Sequence, residues 1–300
     1  MLNRDVRLDV TGGMVHKPCH RCGPRALMMG EGLVWGLDIN GAGMTRIIAV
    51  ANQKGGVAKT TSVASLGAAL AELGQKVLVV DLDPQACLTF SLGFDPETLD
   101  MSLHDVLLER VSAGMVIRPT DDGMALLPAT IDLAGTEANL LTKTGREHAL
   151  RLALDDIATD YNYVLFDCSP SLGVLTINAL TAADEVLIPL QAETLSHRGV
   201  GQLLDTVRDV QRLTNPNLRV LGVLPTLFDA RTSHAKAVVQ DIKERYGLPV
   251  LEPPIAKSIR FAEAPAAGRS ILATSRRVRG ADNYRELARQ IHEGELDDDE

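Results

Sequence analysis

From residue 45 onward the chain alternates short apolar runs with longer segments whose apolar residues recur every three or four positions. Ile47-Ile48-Ala49-Val50-Ala51, Lys76-Val77-Leu78-Val79-Val80-Asp81, Tyr163-Val164-Leu165-Phe166-Asp167, Glu185-Val186-Leu187-Ile188-Pro189-Leu190 and Arg219-Val220-Leu221-Gly222-Val223-Leu224 have strand length. They are nearly continuous in apolar character, as strands covered on both faces are. Leu248-Pro249-Val250-Leu251 is a shorter candidate for an edge strand. Helical spacing covers 58–73, 145–159, 197–213 and 232–246. In the first of these, Val63, Leu66, Ala69, Leu70 and Leu73 fall on one face and Gly74 marks the stop. The alternation predicts an α/β fold, a doubly wound and mostly parallel sheet with helices on both faces and ligands above the C-terminal strand ends.

Composition adds limits. The 300 residues are 45% apolar but only 3% aromatic, and Ala, Val, Leu and Gly dominate, which suits one globular body with strands buried between helices. No apolar run reaches the roughly 18 residues that span a bilayer, and the first residues lack a secretory pattern, so a cytoplasmic chain is expected. Residues 1–43 are rich in glycine without sustained periodicity and read as a poorly ordered extension ahead of a body over 44–292. Of the four cysteines, Cys87 and Cys168 fall at predicted strands, so no disulfide framework is expected. His16, Cys19, His20 and Cys22 lack the second half of a usual zinc site, and no metal is expected there.

The loop after the first strand carries the chemistry. Lys54-Gly55-Gly56-Val57-Ala58-Lys59-Thr60-Thr61 joins a strand to a helix, the context in which backbone N–H groups around Gly55 and Gly56 cradle phosphate and the helix N-terminus adds positive potential. Lys59 is then placed for the β- and γ-phosphates and the Thr60 hydroxyl for Mg²⁺. Ala58 stands where the general pattern has glycine, and a positive φ there would cost alanine about 1 kcal/mol.

Acids sit where two other strands stop. One run ends Asp81-Leu82-Asp83-Pro84-Gln85, which puts two carboxylates on one face with Leu82 turned away; another ends at Asp167, followed by Cys168-Ser169-Pro170-Ser171-Leu172-Gly173. An apolar strand closing on Asp, paired with a phosphate loop, suits a carboxylate that holds Mg²⁺ through water, because Mg²⁺ keeps several waters and takes few carboxylates.

The variant K-G-G-V-A-K-T resembles the deviant Walker A motif of the ParA/Soj/MinD family of P-loop ATPases. The two strand-end runs resemble that family's switch regions, with Ser169 where the family often has Pro. Three later segments are similar to ParA/Soj in order and spacing: Ile188 to Glu193, Leu224 to Thr232, and Ile259 to Pro265. The resemblance runs from about Thr45 to His292. It implies ATP and Mg²⁺ as ligands, and a homodimer in which Lys54 reaches the partner's nucleotide. It further implies Asp83 positioning the attacking water, Asp81 supporting the Mg²⁺ shell, and Arg231 and Arg260 binding DNA without sequence preference. Ser258, in an Ala256-Lys257-Ser258 turn where the family has P-R-N, is implied at the adenine. Chains of this family usually begin near Met44-Thr45-Arg46, so translation from Met44 is an alternative to a translated extension.

Charge fits a nucleic-acid partner better than its total suggests. Net charge is −9, but six acids crowd the tail over 293–300, and between Lys257 and Arg279 six bases face only Glu263. Such a local excess can contact phosphate on an acidic protein. The resemblance thus implies a weak ATPase of chromosome or plasmid partitioning, associated with the nucleoid and stimulated by a ParB-like protein. The alternatives are a MinD-like positioning ATPase and a biosynthetic enzyme on the same fold. The first needs a basic amphipathic C-terminal helix, whereas anionic lipid would repel this tail, so no membrane partner is implied.

Overall fold

The computed structural model describes residues 27–28, 33–34, 45–193 and 196–296. It divides into two compact units, 1–44 and 45–300. In the first, β1 (Leu27–Met28) pairs antiparallel with β2 (Leu33–Val34). The expected disorder of the extension, the His16 to Cys22 run and residues 297–300 of the tail otherwise lie outside the described residues.

The second unit is a seven-stranded sheet in the order β5-β6-β4-β7-β3-β8-β9. Its strands are β3 (Arg46–Val50), β4 (Val77–Leu82), β5 (Arg118–Pro119), β6 (Ala125–Leu127), β7 (Tyr163–Cys168), β8 (Glu185–Gln191) and β9 (Arg219–Thr226). All are parallel except β5, which pairs antiparallel with β6. Around them run α1 (Lys59–Glu72), α2 (Cys87–Ser91), α3 (Leu103–Leu107), α4 (Ala113–Val116), α5 (Leu133–Leu140) and α6 (Ala149–Leu154). Then follow α7 (Val174–Ala182), α8 (Ser196–Leu213), α9 (Ser233–Tyr246), α10 (Arg260–Glu263), α11 (Ile271–Thr274) and α12 (Arg279–Glu293). Two apolar layers result, one on each sheet face, because β4 and β7 are buried at every position and alternate side chains serve opposite layers.

All five long strands and three of the four helices lie within a residue or two of their predicted bounds. The exceptions have local causes. Leu248 to Leu251 makes only an isolated bridge, with Leu251 N–H donating to Val223 and Pro249 supplying no N–H to continue the ladder. The helix expected over 145–159 is α6 flanked by 3₁₀ turns: Gly145 is left-handed, and the Leu150 N–H is taken by the Asn178 side chain instead of a helical carbonyl. Unforeseen was α12, whose Ala281, Tyr284, Leu287, Ala288 and Ile291 are buried against the α1 face of the sheet. The Tyr284 hydroxyl meets Ser62 Oγ of α1 at 2.9 Å, and Arg46 ties the opposite end of the sheet together through Glu185 and the Ile291 carbonyl.

Candidate active site

Parallel strands put their C-terminal ends on one side, and here three ends meet. Val50 of β3 is in register with Asp167 of β7, which is in register with Asp81 of β4. The phosphate loop therefore leaves the central strand beside two carboxylates.

The loop is held from both flanks. Asn52 Nδ2 donates to the Pro189 carbonyl at 2.7 Å while its Oδ1 accepts the Lys54 N–H at 3.0 Å. On the other side the Thr226 hydroxyl donates to the Val57 carbonyl at 2.9 Å. Between these ties Gly55 and Gly56 border open space: a Cβ at either would meet nothing within 4 Å, and Gly56 has φ 73°. Ala58 has φ 65° and ψ 34°, so the positive φ that penalises alanine is present. Replacing Ala58 by Gly is expected to raise the free energy of unfolding by about 0.5–1 kcal/mol, read by urea titration. An unchanged or lower midpoint would show that the turn carries no strain.

Lys59 opens α1 and is 7% exposed, its Nζ donating to the Lys54 carbonyl at 3.3 Å. Burial pulls its pKa down, opposed by Asp167, Cys168 and Asp83. Asp167 is fully buried, and neither of its oxygens meets a protein hydrogen-bond donor in good geometry. Burial, then the Asp81 carboxylate, push Asp167 well above the ordinary carboxylate range, while the nearby Thr60 hydroxyl and Lys59 favour its ion. A buried carboxylate with both oxygens unspent is costly unless a cation completes it. Hard oxygen donors from Asp167 and Thr60, an open glycine cradle and a buried lysine fit a magnesium-bound phosphate chain. Thr61 follows Thr60 in the first turn of α1.

Asp81, expected to support the Mg²⁺ shell, is hydrogen-bonded within its own chain. Its Oδ1 accepts the Asp83 N–H at 3.1 Å, and its Oδ2 accepts the Thr89 N–H and hydroxyl at 2.9 and 2.8 Å. Its oxygens are turned to its own chain, where they shape the Asp83 loop and anchor α2. Burial nevertheless pushes its pKa up to about 6 against those bonds. Asp83 itself is half-buried at the turn, with Oδ1 accepting the Gln85 N–H at 2.9 Å.

Glu137 of α5 went unforeseen because nothing in its sequence surroundings marks it. Its Oε1 lies 2.9 Å from where a Cβ on Gly173 would sit, so it overhangs the loop after Asp167. Burial, then Asp83, push its carboxyl up, which places it in the field of the same cluster.

The remaining site residues are spread outward. Lys54 Nζ bonds the Glu193 carboxylate of its own chain, beside the cradle. The Ser258 hydroxyl, expected at the adenine, accepts the Arg260 N–H at 3.3 Å and closes a local turn. Arg231 is forked onto Asp229 at 3.0 Å through both nitrogens, and Arg260 pairs with Glu263 at 2.7 Å. Among the described residues Lys257, Arg276, Arg277 and Arg279 have no acidic partner. Lys257 and Arg279 share a cavity of about 440 Å³ with Arg231 and Phe228. Positive charge is thus least neutralised beside, not at, the two expected arginines.

A phosphate loop between a central parallel strand and its helix, with a strand-end Asp unspent beside a buried lysine, defines a P-loop nucleotide hydrolase. Residues 45–220 match a family model described as an AAA domain. The sporulation initiation inhibitor protein Soj of Bacillus subtilis is 42% identical over 249 residues, 83% of this chain and 98% of Soj. The chromosome partitioning protein ParA of Caulobacter vibrioides is 39% identical over 255 residues, 84% of this chain and 96% of that protein. A crystal structure described as cobyrinic acid a,c-diamide synthase from Mycobacterium smegmatis, with bound ATP analogue and magnesium, is 55% identical with a TM-score of 0.75, covering 83% of this chain and 95% of that one. This chain belongs to the ParA/Soj family of P-loop ATPases, whose ligands are ATP and Mg²⁺.

Proposed function

We propose that this protein is a DNA-partitioning ATPase: ATP closes a sandwich homodimer, the dimer holds DNA without sequence preference, and a ParB-like protein stimulates hydrolysis and release at the nucleoid. The observation that carries this reading is the two-lysine loop beside the unspent Asp167, with the Arg231, Lys257 and Arg279 cavity as a separate cationic surface. Lys59 and the Gly55-Gly56 backbone bind the β- and γ-phosphates, and Thr60 and Asp167 hold Mg²⁺, which neutralises phosphate charge. Asp83 orients a water in line with the γ-phosphorus and accepts its proton as ADP departs. Lys54 leaves Glu193 to reach the nucleotide of the second protomer.

Arginine contacts to DNA phosphate displace counterions, so retention falls steeply with salt. Arg231→Ala is expected to abolish ATP-dependent retention of nonspecific DNA at physiological salt while ATP binding stays intact, read by electrophoretic retardation beside nucleotide titration. Unchanged retention would remove Arg231 from the DNA surface. The description of the M. smegmatis relative favours a second reading, a biosynthetic enzyme that activates a carboxylate. Turnover yielding ADP and phosphate alone, stimulated by DNA and a ParB-like protein, sets that reading aside.

A further inference from the structure

Residues 169–173 form the whole link between β7, which ends just past Asp167, and α7. A shift in that link is passed to the Asp167 carboxylate. Ser169 stands where the family often has Pro, and hydroxyl bonds take over the stiffening that a proline ring would give. Ser169 Oγ meets Ser171 Oγ at 3.0 Å, and the Thr176 hydroxyl donates to the Ser171 carbonyl at 2.6 Å. Both bonds stay within the link and its own helix.

From a separate element, Glu137 reaches the same link. Its Oε1 lies 2.9 Å from the point where a Cβ on Gly173 would sit, and Ser171 Oγ lies 3.3 Å from that point. Gly173 has φ −77°, open to any residue, so it is the close approach of the carboxylate and not the backbone that favours glycine here. Gly173 is also the N-cap of α7, whose first turn has neither a side-chain cap nor an acid of its own. A carboxylate beside it answers the partial positive charge of the helix start. The rest of α5 keeps Glu137 there: Leu133, Thr136 and Leu140 are buried, and Thr136 Oγ1 meets His104 Nδ1 of α3 at 2.8 Å.

We propose that Glu137 is a positioning residue for ATP hydrolysis, holding the 169–173 link against α5 so that Asp167 keeps its orientation toward Mg²⁺. Its effect on turnover rests on the role proposed for Asp167 above; its hold on the link does not. The glycine cradle and Lys59 are held by Asn52, Thr226 and α1 instead, so ATP binding persists when the hold is lost.

The test uses the full chain without DNA, so its outcome is independent of the DNA-partitioning reading. Glu137→Ala is expected to speed amide hydrogen exchange over 169–176 about fivefold in the nucleotide-free protein. At saturating ATP with Mg²⁺, single-turnover hydrolysis is expected to fall about tenfold or more while the ATP dissociation constant moves little, the mark of lost positioning. Gly173→Ala should cost as much by pushing the carboxylate aside, and in the double variant the two losses should not add, because the second acts through a group already absent. An unchanged urea midpoint certifies the fold of each variant. Unchanged exchange in Glu137→Ala, losses that add, or a loss seen in ATP affinity alone overturns the proposal. Asp167→Asn, measured alongside, tells two failures apart. Ordinary turnover in that variant removes the role given to Asp167, whereas an inactive Asp167→Asn chain beside a fully active Glu137→Ala chain overturns the role of Glu137 alone.

Discussion

Asp83→Ala is expected to lower ATP turnover by about 10²–10³ while ATP binding persists, the usual loss when a group that orients and deprotonates water is removed. The phosphate contacts expected of Lys59, Gly55 and Gly56 do not pass through Asp83, so single-turnover hydrolysis should fall while the nucleotide dissociation constant moves little. The turn should survive the change, because the Asp83 N–H still donates to Asp81 and the Ala86 N–H still donates to the residue 83 carbonyl. Only the bond from Gln85 N–H to the Asp83 side chain is lost. A variant that turns ATP over at the original rate would move the water-positioning role elsewhere in the cluster, and Glu137 would then be the carboxylate to replace next.

Lys54→Ala is expected to leave a monomer that still binds ATP, measured by light scattering during gel filtration in ATP. In the single chain the Lys54 side chain is spent on Glu193, whereas the loop is shaped by the Lys54 backbone N–H and carbonyl, which alanine retains. Two ATP molecules facing each other across a dimer interface bring their γ-phosphates together, and a low-dielectric interface makes each missing cation expensive. A Lys54→Ala chain that still dimerises with ATP would show that the first lysine of the loop has no role in assembly.

These expectations draw unequally on sequence and structure. The phosphate loop, its flanking strand and helix, and Asp83 and Asp167 at strand ends were legible because each depends on local order: apolar runs of strand length, a glycine pair, and an acid where the run stops. The broken helix over 145–159 was not, since its pattern is helical and the bond from Leu150 to Asn178 that competes with it spans 28 positions. The bonds that Asp81 and Ser258 make within the chain were hidden for a related reason. Both are acceptors whose nearest donors, on Thr89 and Arg260, lie a few positions away on a turn that only the fold closes.

By itself, then, the sequence determined a doubly wound α/β chain with a nucleotide loop, because burial of alternating apolar runs and the φ freedom of glycine act within a few residues. Tertiary structure alone decided which carboxylate stays unspent, since Asp81 and Asp167 stand in register on adjacent strands yet only Asp81 finds donors. It also brought Glu137 over Gly173 and gathered Arg231, Lys257 and Arg279 around one cavity. Those juxtapositions come from packing between elements distant along the chain, and no local pattern encodes them.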